Sequence, residues 1–359
     1  MRAAVYRGRC DIRIENVAEP VPARGELLLR IAATGICGTD GHEYARGPSQ
    51  FAVPSRSPWG PPDGLIPGHE FAGTVIGVGQ DAVGFREGDL VASGSGVACG
   101  ECHWCRRGRT NLCVRYETVG LQRHGGLAEF CTVPARSCAL VDQSTLTPDA
   151  AALGQPMAIA VHAAERGKPA SGMDVLVIGA GGIGTFLIYA LAESGARVSV
   201  LETDPARRDL AVRLGAAVAL RPPPAQELPG AIGAQHAPEV IYEVTGNPAG
   251  LTLALAALAA GVRLVLIGLQ GSPAAVDLRR VSISECELIG TNALIAATDL
   301  PKALELLGRR AESWTDVAPV ALALEEYVEE GLRPLAGGTA ARVKTLVDPA
   351  ASASRRSQM

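Results

Sequence analysis

Hydrophobic and polar residues alternate in two different rhythms along this chain. From Arg2 to about Thr147 the apolar runs are short and are separated by glycines and prolines, as in AAVYRG, ELLLRIAATG, EFAGTVIGVG and GDLVASGSG. Such runs predict the short strands of an all-β region. From about Pro148 helical segments alternate with strand-like runs, for example DVLVIGAGG, IGTFLIYALAESG and RVSVLET. This alternation predicts βαβ units on a parallel sheet, so we expect a β domain combined with an α/β domain.

The last part of the chain, from about Leu294, returns to a mixed pattern. DLPKALELLGRR predicts a helix, LEEYVEEGL a helix-like segment and ARVKTLVD a final strand, while the polar tail ASASRRSQM is expected to be frayed. The longest apolar stretch, residues 251–269, is interrupted by Gly261 and Arg263. It therefore predicts a buried helix followed by a strand, and no membrane span.

Composition narrows the classes of function. The 359 residues carry 33 Lys+Arg and 37 Asp+Glu, a net charge of −4, and only 4% are aromatic. There is no basic block to bind nucleic acid and few rings on which bases could stack. The N-terminal residues contain no apolar leader, so we expect a soluble, cytoplasmic protein. The nine cysteines, an odd number, favour metal or thiol chemistry over a disulfide framework.

A glycine-rich turn follows the first strand of the α/β region. VLVIGAGGIG places Gly179, Gly181 and Gly184 in the pattern G-x-G-x-x-G, with Gly182 and Ile183 between the last two. In that pattern the glycines allow a tight turn, a close approach to a pyrophosphate and close packing of helix on strand.

The next strand ends in Glu202, eighteen residues after Gly184, where a carboxylate can accept hydrogen bonds from the adenosine ribose. This acid favours NAD over NADP. Arg207 or Arg208 could accommodate a 2′-phosphate, or both could be solvated charges on the following helix. The alternative is a glycine turn that only packs a helix on a strand, with Glu202 as an exposed strand end.

Four cysteines lie within fifteen residues. CGECHWCRRGRTNLC gives Cys99, Cys102, Cys105 and Cys113 the spacing C-x2-C-x2-C-x7-C. Four thiolates suit a closed, structural zinc site, and we expect a small lobe over residues 95–115 that folds around the ion. An iron–sulfur cluster is one alternative, because a similar spacing occurs there, and an unmetallated reactive cysteine cluster is another.

A second set of candidate ligands lies upstream. GICGTDGHEY contains Cys37, Thr39, Asp40 and His42, and PGHEF contains His69 and Glu70. Cysteine, histidine and carboxylate together are suitable ligands for a catalytic zinc ion that keeps one position open. Each residue alone could instead belong to the core or the surface.

With these motifs in place, the chain resembles the zinc-dependent medium-chain alcohol dehydrogenases over essentially its whole length. The landmarks are GICGTD, GHEFAGTVIGVG, GDLVA, the four-cysteine lobe, GGLAEF, GQPMAIAVHA and VLVIGAGGIG. The resemblance implies a GroES-like β domain that carries the zinc sites and a Rossmann domain with a doubly wound parallel sheet. We accordingly expect a GroES-like catalytic domain over residues 1–157, a Rossmann NAD-binding domain over 158–295, and a return to the catalytic domain over 296–359.

The resemblance also implies roles for individual residues. Cys37 and His69 match catalytic zinc ligands, and Glu70 matches a carboxylate that ligates the zinc or stands close behind it. Asp40 would orient a ligand, and Thr39 and His42 match a relay that carries the substrate proton to solvent. Two further matches lie elsewhere in the chain: Lys344 matches a residue that contacts the cofactor pyrophosphate, and Gln155 stands where polyol-type members usually have a glutamate ligand. A neutral Gln155 could bind the zinc directly or through water, or could lie outside the coordination sphere.

The implied activity is reversible hydride transfer between NAD and a secondary alcohol, with two zinc ions per chain. The segment between the ligand motifs resembles that of 2,3-butanediol and related diol or polyol dehydrogenases, and Trp59 could lie near its pocket. Sugars, cyclitols and threonine remain open as substrates, and a non-catalytic NAD-binding relative is the alternative from another class. A homodimer or homotetramer is expected by analogy.

Overall fold

The computed structural model describes residues 1–52, 64–228 and 237–359. The chain forms two compact units, one of residues 1–158 and 294–359 and the other of residues 159–293. Trp59 and the proline-rich segment around it lie outside the described residues.

Strands dominate the first unit and alternate with helices in the second. The strands are β1 (Arg2–Gly8), β2 (Asp11–Asn16), β3 (Glu26–Gly35), β4 (Glu70–Val78), β5 (Leu90–Ser93), β6 (Gly96–Val97), β7 (Glu117–Thr118), β8 (Phe130–Pro134), β9 (Cys138–Leu140), β10 (Asp174–Ile178), β11 (Arg197–Leu201), β12 (Val218–Leu220), β13 (Val240–Glu243), β14 (Arg263–Leu266), β15 (Glu287–Gly290), β16 (Val320–Ala323), β17 (Leu346–Asp348) and β18 (Arg355–Arg356). The α-helices are α1 (Gly38–Arg46), α2 (Pro148–Ala151), α3 (Gly154–Gly167), α4 (Gly182–Glu193), α5 (Pro205–Arg213), α6 (Pro248–Ala256), α7 (Leu278–Ile283), α8 (Ala296–Arg309) and α9 (Arg333–Ala336).

The first unit is built on an eight-stranded sheet in the order β18-β16-β17-β3-β4-β5-β9, with β8 also paired to β3. β3 is the central strand, because it pairs antiparallel with β4, β8 and β17. Its inward side chains Leu27, Leu29 and Ile31 pack with Phe71 and Val75 of β4 in a buried cluster. The end of β3 is therefore held from both sides by neighbouring strands.

The second unit contains a six-stranded sheet in the order β12-β11-β10-β13-β14-β15, and every pair is parallel. This confirms the βαβ prediction. β13 is buried along its whole length, as expected for a strand whose two faces are both covered. The strand order reverses direction between β10 and β13, and ligands of such sheets bind at the carboxyl ends of the strands next to that switch point.

The C-terminal segment differs from the sequence prediction in two places. LEEYVEEGL forms a short 3-10 turn followed by a π-helix over Tyr327–Leu332. The prediction of a frayed tail is wrong, because β18 pairs with β16 and the Arg355 guanidinium binds the Asp149 carboxylate at 2.7 and 2.9 Å. Within the described residues no helix is long and apolar enough to cross a membrane.

Candidate metal centres and cofactor site

Cys37 lies at the junction between β3 and α1. It is the N-cap of that helix, and its backbone N–H donates to Oδ2 of Asp40 at 2.9 Å. The Asp40 carboxylate, in the first turn, is also stabilised by the positive end of the helix dipole. The sequence GICGTD therefore ends a strand, starts a helix and fixes the thiol at the end of the central strand.

His69 and Glu70 reach the same place from the neighbouring strand. Glu70 begins β4 and lies directly opposite Gly35, the last residue of β3. The preceding Gly68 has φ +94°, and a Cβ there would lie 2.9 Å from the backbone nitrogen of Leu127, so this position requires glycine. The ligand atoms of Cys37, His69 and Glu70 all lie within 4.8 Å of one another. One thiol, one imidazole and one carboxylate at that spacing fit a zinc ion.

The Glu70 carboxylate forms a buried ion pair with Lys344. Nζ lies 2.5 Å from both carboxylate oxygens, and neither side chain is more than 3% exposed. A Cβ at Gly35 would overlap this carboxylate, so glycine provides its space. Lys344 is brought here because the Ile36 N–H donates to the Thr345 carbonyl at 2.9 Å, beside β17. The structure thus gives Lys344 an acidic partner, and its contact with a cofactor pyrophosphate stays a prediction.

Asp40 lies beside His69 of this cluster. Asp40 Oδ1 lies 3.7 Å from His69 Nδ1, and both atoms are buried without a hydrogen-bond partner. Burial lowers the pKa of His69, but the negative charges of Cys37 and Asp40 outweigh it and raise the pKa to about 9. Burial raises the pKa of Asp40, and the His69 charge only partly offsets it. Asp40 thus lies where it could orient the His69 ring toward a metal.

The other predicted catalytic residues differ in how deeply they are buried. Thr39 is half-buried, with Oγ1 3.8 Å from Sγ of Cys37, whereas His42 is exposed on the same helix. Gln155 is only 7% exposed and lies in the first turn of α3. Their roles at a metal or in proton transfer stay predictions.

Ser95 is a buried residue of this region that the sequence reasoning missed. It has a left-handed backbone conformation with φ +59°, and its hydroxyl donates to the backbone carbonyl of His69. The Ser95 N–H in turn donates to Oγ of Ser93 at 3.0 Å. The repeated serines in SGSG were the available signal, but serine in a glycine-rich segment usually indicates only a turn.

The four-cysteine lobe has the dimensions of a tetrahedral thiolate site. Cys105 Sγ lies 3.5 Å from that of Cys102 and 3.9 Å from that of Cys99. A tetrahedron with Zn–S bonds of about 2.3 Å has edges of about 3.8 Å. Backbone N–H groups also point at the sulfurs, for example from Cys99 to Cys113 Sγ at 3.2 Å. The cluster therefore fits a structural zinc ion.

The glycine turn of the second unit has the geometry expected for a dinucleotide site. Gly179 has φ +101°, Gly181 is the N-cap of α4 with open space where its Cβ would be, and a Cβ at Gly184 would overlap the Gly179 carbonyl. These correspond to the tight turn, the close ligand approach and the close helix packing of that motif.

Glu202 is 7% exposed, follows β11 and accepts from the N–H groups of Ala180 at 2.7 Å and Asp204 at 3.0 Å. Its carboxylate thus connects the glycine turn to the end of the next strand. Glu202 and Arg207 both line a cavity with Gly179 and Gly181. Arg208 instead donates to the backbone carbonyls of Glu202 and Thr203, which leaves Arg207 as the arginine at this cavity.

Two family models match the chain. Residues 23–143 match the alcohol dehydrogenase GroES-like domain and residues 182–309 match the zinc-binding dehydrogenase domain. Among curated relatives, L-threonine 3-dehydrogenase of Solibacter usitatus is 30% identical over 340 residues, which cover 92% of this chain and 94% of that protein. Sorbitol dehydrogenase of Bacillus subtilis is 31% identical over 311 residues, 86% of each chain.

Solved structures show the same architecture. The 2R,3R-butanediol dehydrogenase of Bacillus subtilis has a TM-score of 0.85 at 27% identity, over 97% of this chain and 99% of that one. A Sinorhizobium meliloti structure with NADP bound has a TM-score of 0.86 at 25% identity, again over 97% and 99%. These matches confirm the predicted combination of GroES-like and Rossmann folds, and the chain belongs to the zinc-dependent medium-chain alcohol dehydrogenase family.

Proposed function

We propose that this dehydrogenase transfers a hydride between NAD and a secondary alcohol, namely a vicinal diol, polyol or cyclitol, in a reversible oxidation to the ketone. The observation that carries this proposal is the convergence of Cys37, His69 and Glu70 within 4.8 Å at the end of the central strand. That ligand set is typical of a catalytic zinc ion, which when bound supplies a Lewis acid that polarises the alcohol oxygen.

The residues around the cluster suit the other steps of the reaction. Cys37 and His69 would hold the metal, with Glu70 exchanging between Lys344 and the metal, or staying behind it. Thr39 is half-buried beside Cys37 and would accept the hydroxyl proton of the substrate while passing its own hydroxyl proton on, through the cofactor ribose, toward His42. His42 is exposed three residues later on the same helix, so it can pass that proton to solvent.

Gln155 is the residue that departs from the polyol pattern of the family. We propose that its amide oxygen binds the metal directly or through water, since the side chain is buried in the first turn of α3. A neutral ligand leaves the site more positive than a glutamate would. We therefore expect this chain to lower the pKa of the bound substrate hydroxyl more than a Gln155→Glu variant does.

For the cofactor we propose NAD. The Glu202 carboxylate faces the cavity beside the glycine turn, where it would accept hydrogen bonds from ribose hydroxyls and repel a 2′-phosphate. Arg207 lines the same cavity, and the Sinorhizobium meliloti relative binds NADP, so the preference depends on the Glu202 charge.

The substrate class is tested by NADH formation with zinc-loaded protein across 2,3-butanediol stereoisomers, linear polyols, inositols, amino-cyclitols, aldoses and threonine. A stereoselective rate with one vicinal diol, lost in Cys37→Ser and retained in the exposed-cysteine control Cys10→Ser, is the expected result. Threonine is the second candidate, because the Solibacter usitatus threonine dehydrogenase matches 92% of this chain. Turnover by Cys37→Ser at the normal rate would contradict the proposed site.

Zinc content separates the enzyme from a non-catalytic relative. We expect two zinc ions per chain by elemental analysis, and one in Cys37→Ser because the four-cysteine lobe keeps its own ion. Cys105→Ser should also lower the content by one and should reduce thermal stability, since the lobe depends on its metal. A wild-type protein with one zinc ion per chain would favour the non-catalytic alternative.

We also propose a homodimer or homotetramer, formed through the edge of the parallel sheet. β15 is one of the two edge strands, with Leu288 38% exposed, and Leu278 and Ile283 of the neighbouring α7 are 67% and 68% exposed. An exposed apolar strand edge is a site for pairing with a second copy. Light scattering should give a dimer or tetramer mass that Leu288→Lys lowers, and an unchanged mass would refute this surface.

A further inference from the structure

Glu243 is a buried acidic residue outside the proposed zinc sites and the proposed proton relay. It ends β13 and is 0% exposed. Oε1 accepts from the N–H groups of Thr245 at 2.8 Å and Gly246 at 3.2 Å and from the Thr245 hydroxyl, and Oε2 accepts from Nε2 of Gln270 at 3.1 Å. The carboxylate therefore ties the loop after β13 to the loop after β14.

Glycines lie on both sides of the Glu243 carboxylate, where side chains would also overlap Thr245 and Gly246. A Cβ at Gly250 would lie 2.9 Å from Oε1, and a Cβ at Gly268 would lie 2.9 Å from Oε2. The backbone carbonyl of Glu243 also accepts from Ile267 at 2.9 Å and Gly268 at 3.1 Å. Six hydrogen bonds to residues after β13 and after β14 thus connect the ends of these two strands through Glu243.

The Glu243 charge has no cationic partner. Its donors are backbone amides, a hydroxyl and a side-chain amide, all of them neutral, and no lysine, arginine or histidine of the described chain forms an ion pair with it. Glu70, by contrast, is paired with Lys344. A buried charge without a counter-charge acts strongly on its neighbourhood, because little solvent screens it.

The strand order indicates what lies near this charge. The glycine turn follows β10, and Glu202 follows β11 on one side of the switch point, whereas β13 and β14 lie on the other side. A dinucleotide bound across such a sheet places its adenosine half beside the acid after β11. Its nicotinamide half would then extend toward the ends of β13 and β14, which Glu243 connects. The loop after β13 also lines the Glu202 cavity, through Thr245 and Gly250.

We propose that Glu243 is a positioning residue for the nicotinamide half of the cofactor and that its negative charge favours binding of the oxidised form. The oxidised nicotinamide ring carries a positive charge and the reduced ring does not, so a nearby carboxylate stabilises the first more than the second. This inference rests on the proposed function only in requiring a nicotinamide cofactor.

The test is the ratio of two dissociation constants, those of NAD⁺ and NADH, measured by calorimetry on the zinc-loaded protein. In Glu243→Gln the ratio Kd(NAD⁺)/Kd(NADH) is expected to rise roughly tenfold, from loss of a charge interaction at low solvent screening. Thr245→Val removes a donor and keeps the charge, so it should weaken both forms to the same extent. The matched control Glu193→Gln removes an exposed acid at the far end of α4 and should leave the ratio unchanged.

A second variant keeps the inference testable should Glu243→Gln not fold. Gln270→Lys places a cation beside the intact carboxylate, so the ratio should rise in the same direction. A ratio within twofold of the wild type in folded Glu243→Gln would overturn the inference, as would an unchanged ratio in Gln270→Lys where only that variant folds. If the wild type binds NADP⁺ and NADPH instead, the proposed cofactor is wrong, and the same ratio for that pair still decides the role of Glu243.

Discussion

Replacing Lys344 with methionine removes the positive partner of a carboxylate that has no contact with solvent. Lys344 Nζ lies 2.5 Å from both oxygens of Glu70, whose side chain is 0% exposed. Removing one partner of a buried pair costs about 3–5 kcal/mol, because the other charge stays buried and unpaired. Since a unit of this size changes its melting temperature by about 2–4 °C per kcal/mol, the metal-free variant should melt about 6–20 °C lower.

Zinc should reduce this loss. The Glu70 carboxylate lies within 4.8 Å of the ligand atoms of Cys37 and His69, so a metal ion held there brings a positive charge to the unpaired carboxylate. Thermal unfolding would be measured for wild type and Lys344→Met, each with and without zinc. The difference between the two proteins should be clearly smaller in the zinc-loaded pair, by about half or more, if attraction to the metal replaces attraction to lysine.

Two further variants separate this explanation from lost packing. In Glu70→Gln/Lys344→Met the charges are removed together, so the double variant should be more stable than the sum of the single losses predicts. Arg309→Met breaks the exposed pair with Glu305, whose side chains are 57% and 61% exposed, and should cost at most about 1 kcal/mol. Equal losses with and without zinc, together with additive single variants, would refute the electrostatic reasoning.

Three other outcomes follow from the same structure. Gly35→Ala should destabilise the protein by about 1–3 kcal/mol in thermal unfolding, since the new methyl group overlaps the Glu70 carboxylate, and an unchanged melting temperature would contradict that geometry. Glu202→Gln keeps an acceptor but removes the charge, so the ratio of Kd for NADP to Kd for NAD should fall roughly tenfold in binding titrations. Burial raises the pKa of Cys131 to about 12, so iodoacetamide at pH 8 should label the exposed Cys10 and leave Cys131 unmodified in the folded protein, as peptide mass spectrometry would show.

Features that depend on short-range pattern could be predicted from the sequence. The alternation of strands and helices after Pro148 predicted the parallel sheet, because each βαβ unit carries its own periodicity. The glycines of GAGGIG and the four clustered cysteines also have fixed spacings that depend on local backbone geometry alone. In each case the residues that determine the feature lie within one turn, one helix or one small lobe.

Features that depend on distant pairing could not be predicted in this way. Lys344 and Glu70 meet across 274 residues because β17 lies beside β3, and the sequence contains no pattern that records this register. Arg355 reaches Asp149 across 206 residues, and this contact orders a tail whose composition alone indicates fraying. A polar tail frays only where nothing binds it, and no sequence pattern indicated that Asp149 would bind this one.

Glu70 and Glu243 show that two buried glutamates can differ in the charge of their partners because of such long-range pairing. Each is a fully buried glutamate at a strand terminus, Glu70 at the start of β4 and Glu243 at the end of β13, and each lies against glycines. Glu70 has Lys344, so its charge is balanced inside the protein, and under the proposed function a metal ion would compete with Lys344 for it. Glu243 has only neutral donors, so no counter-charge in the second unit offsets a negative charge on its carboxylate. The first arrangement suits a carboxylate that changes partner when metal binds, and the second suits a carboxylate with a constant effect on a charged cofactor. Replacing Lys344 should therefore change the dependence of thermal stability on zinc, whereas replacing Glu243 should change the relative affinity for NAD⁺ and NADH.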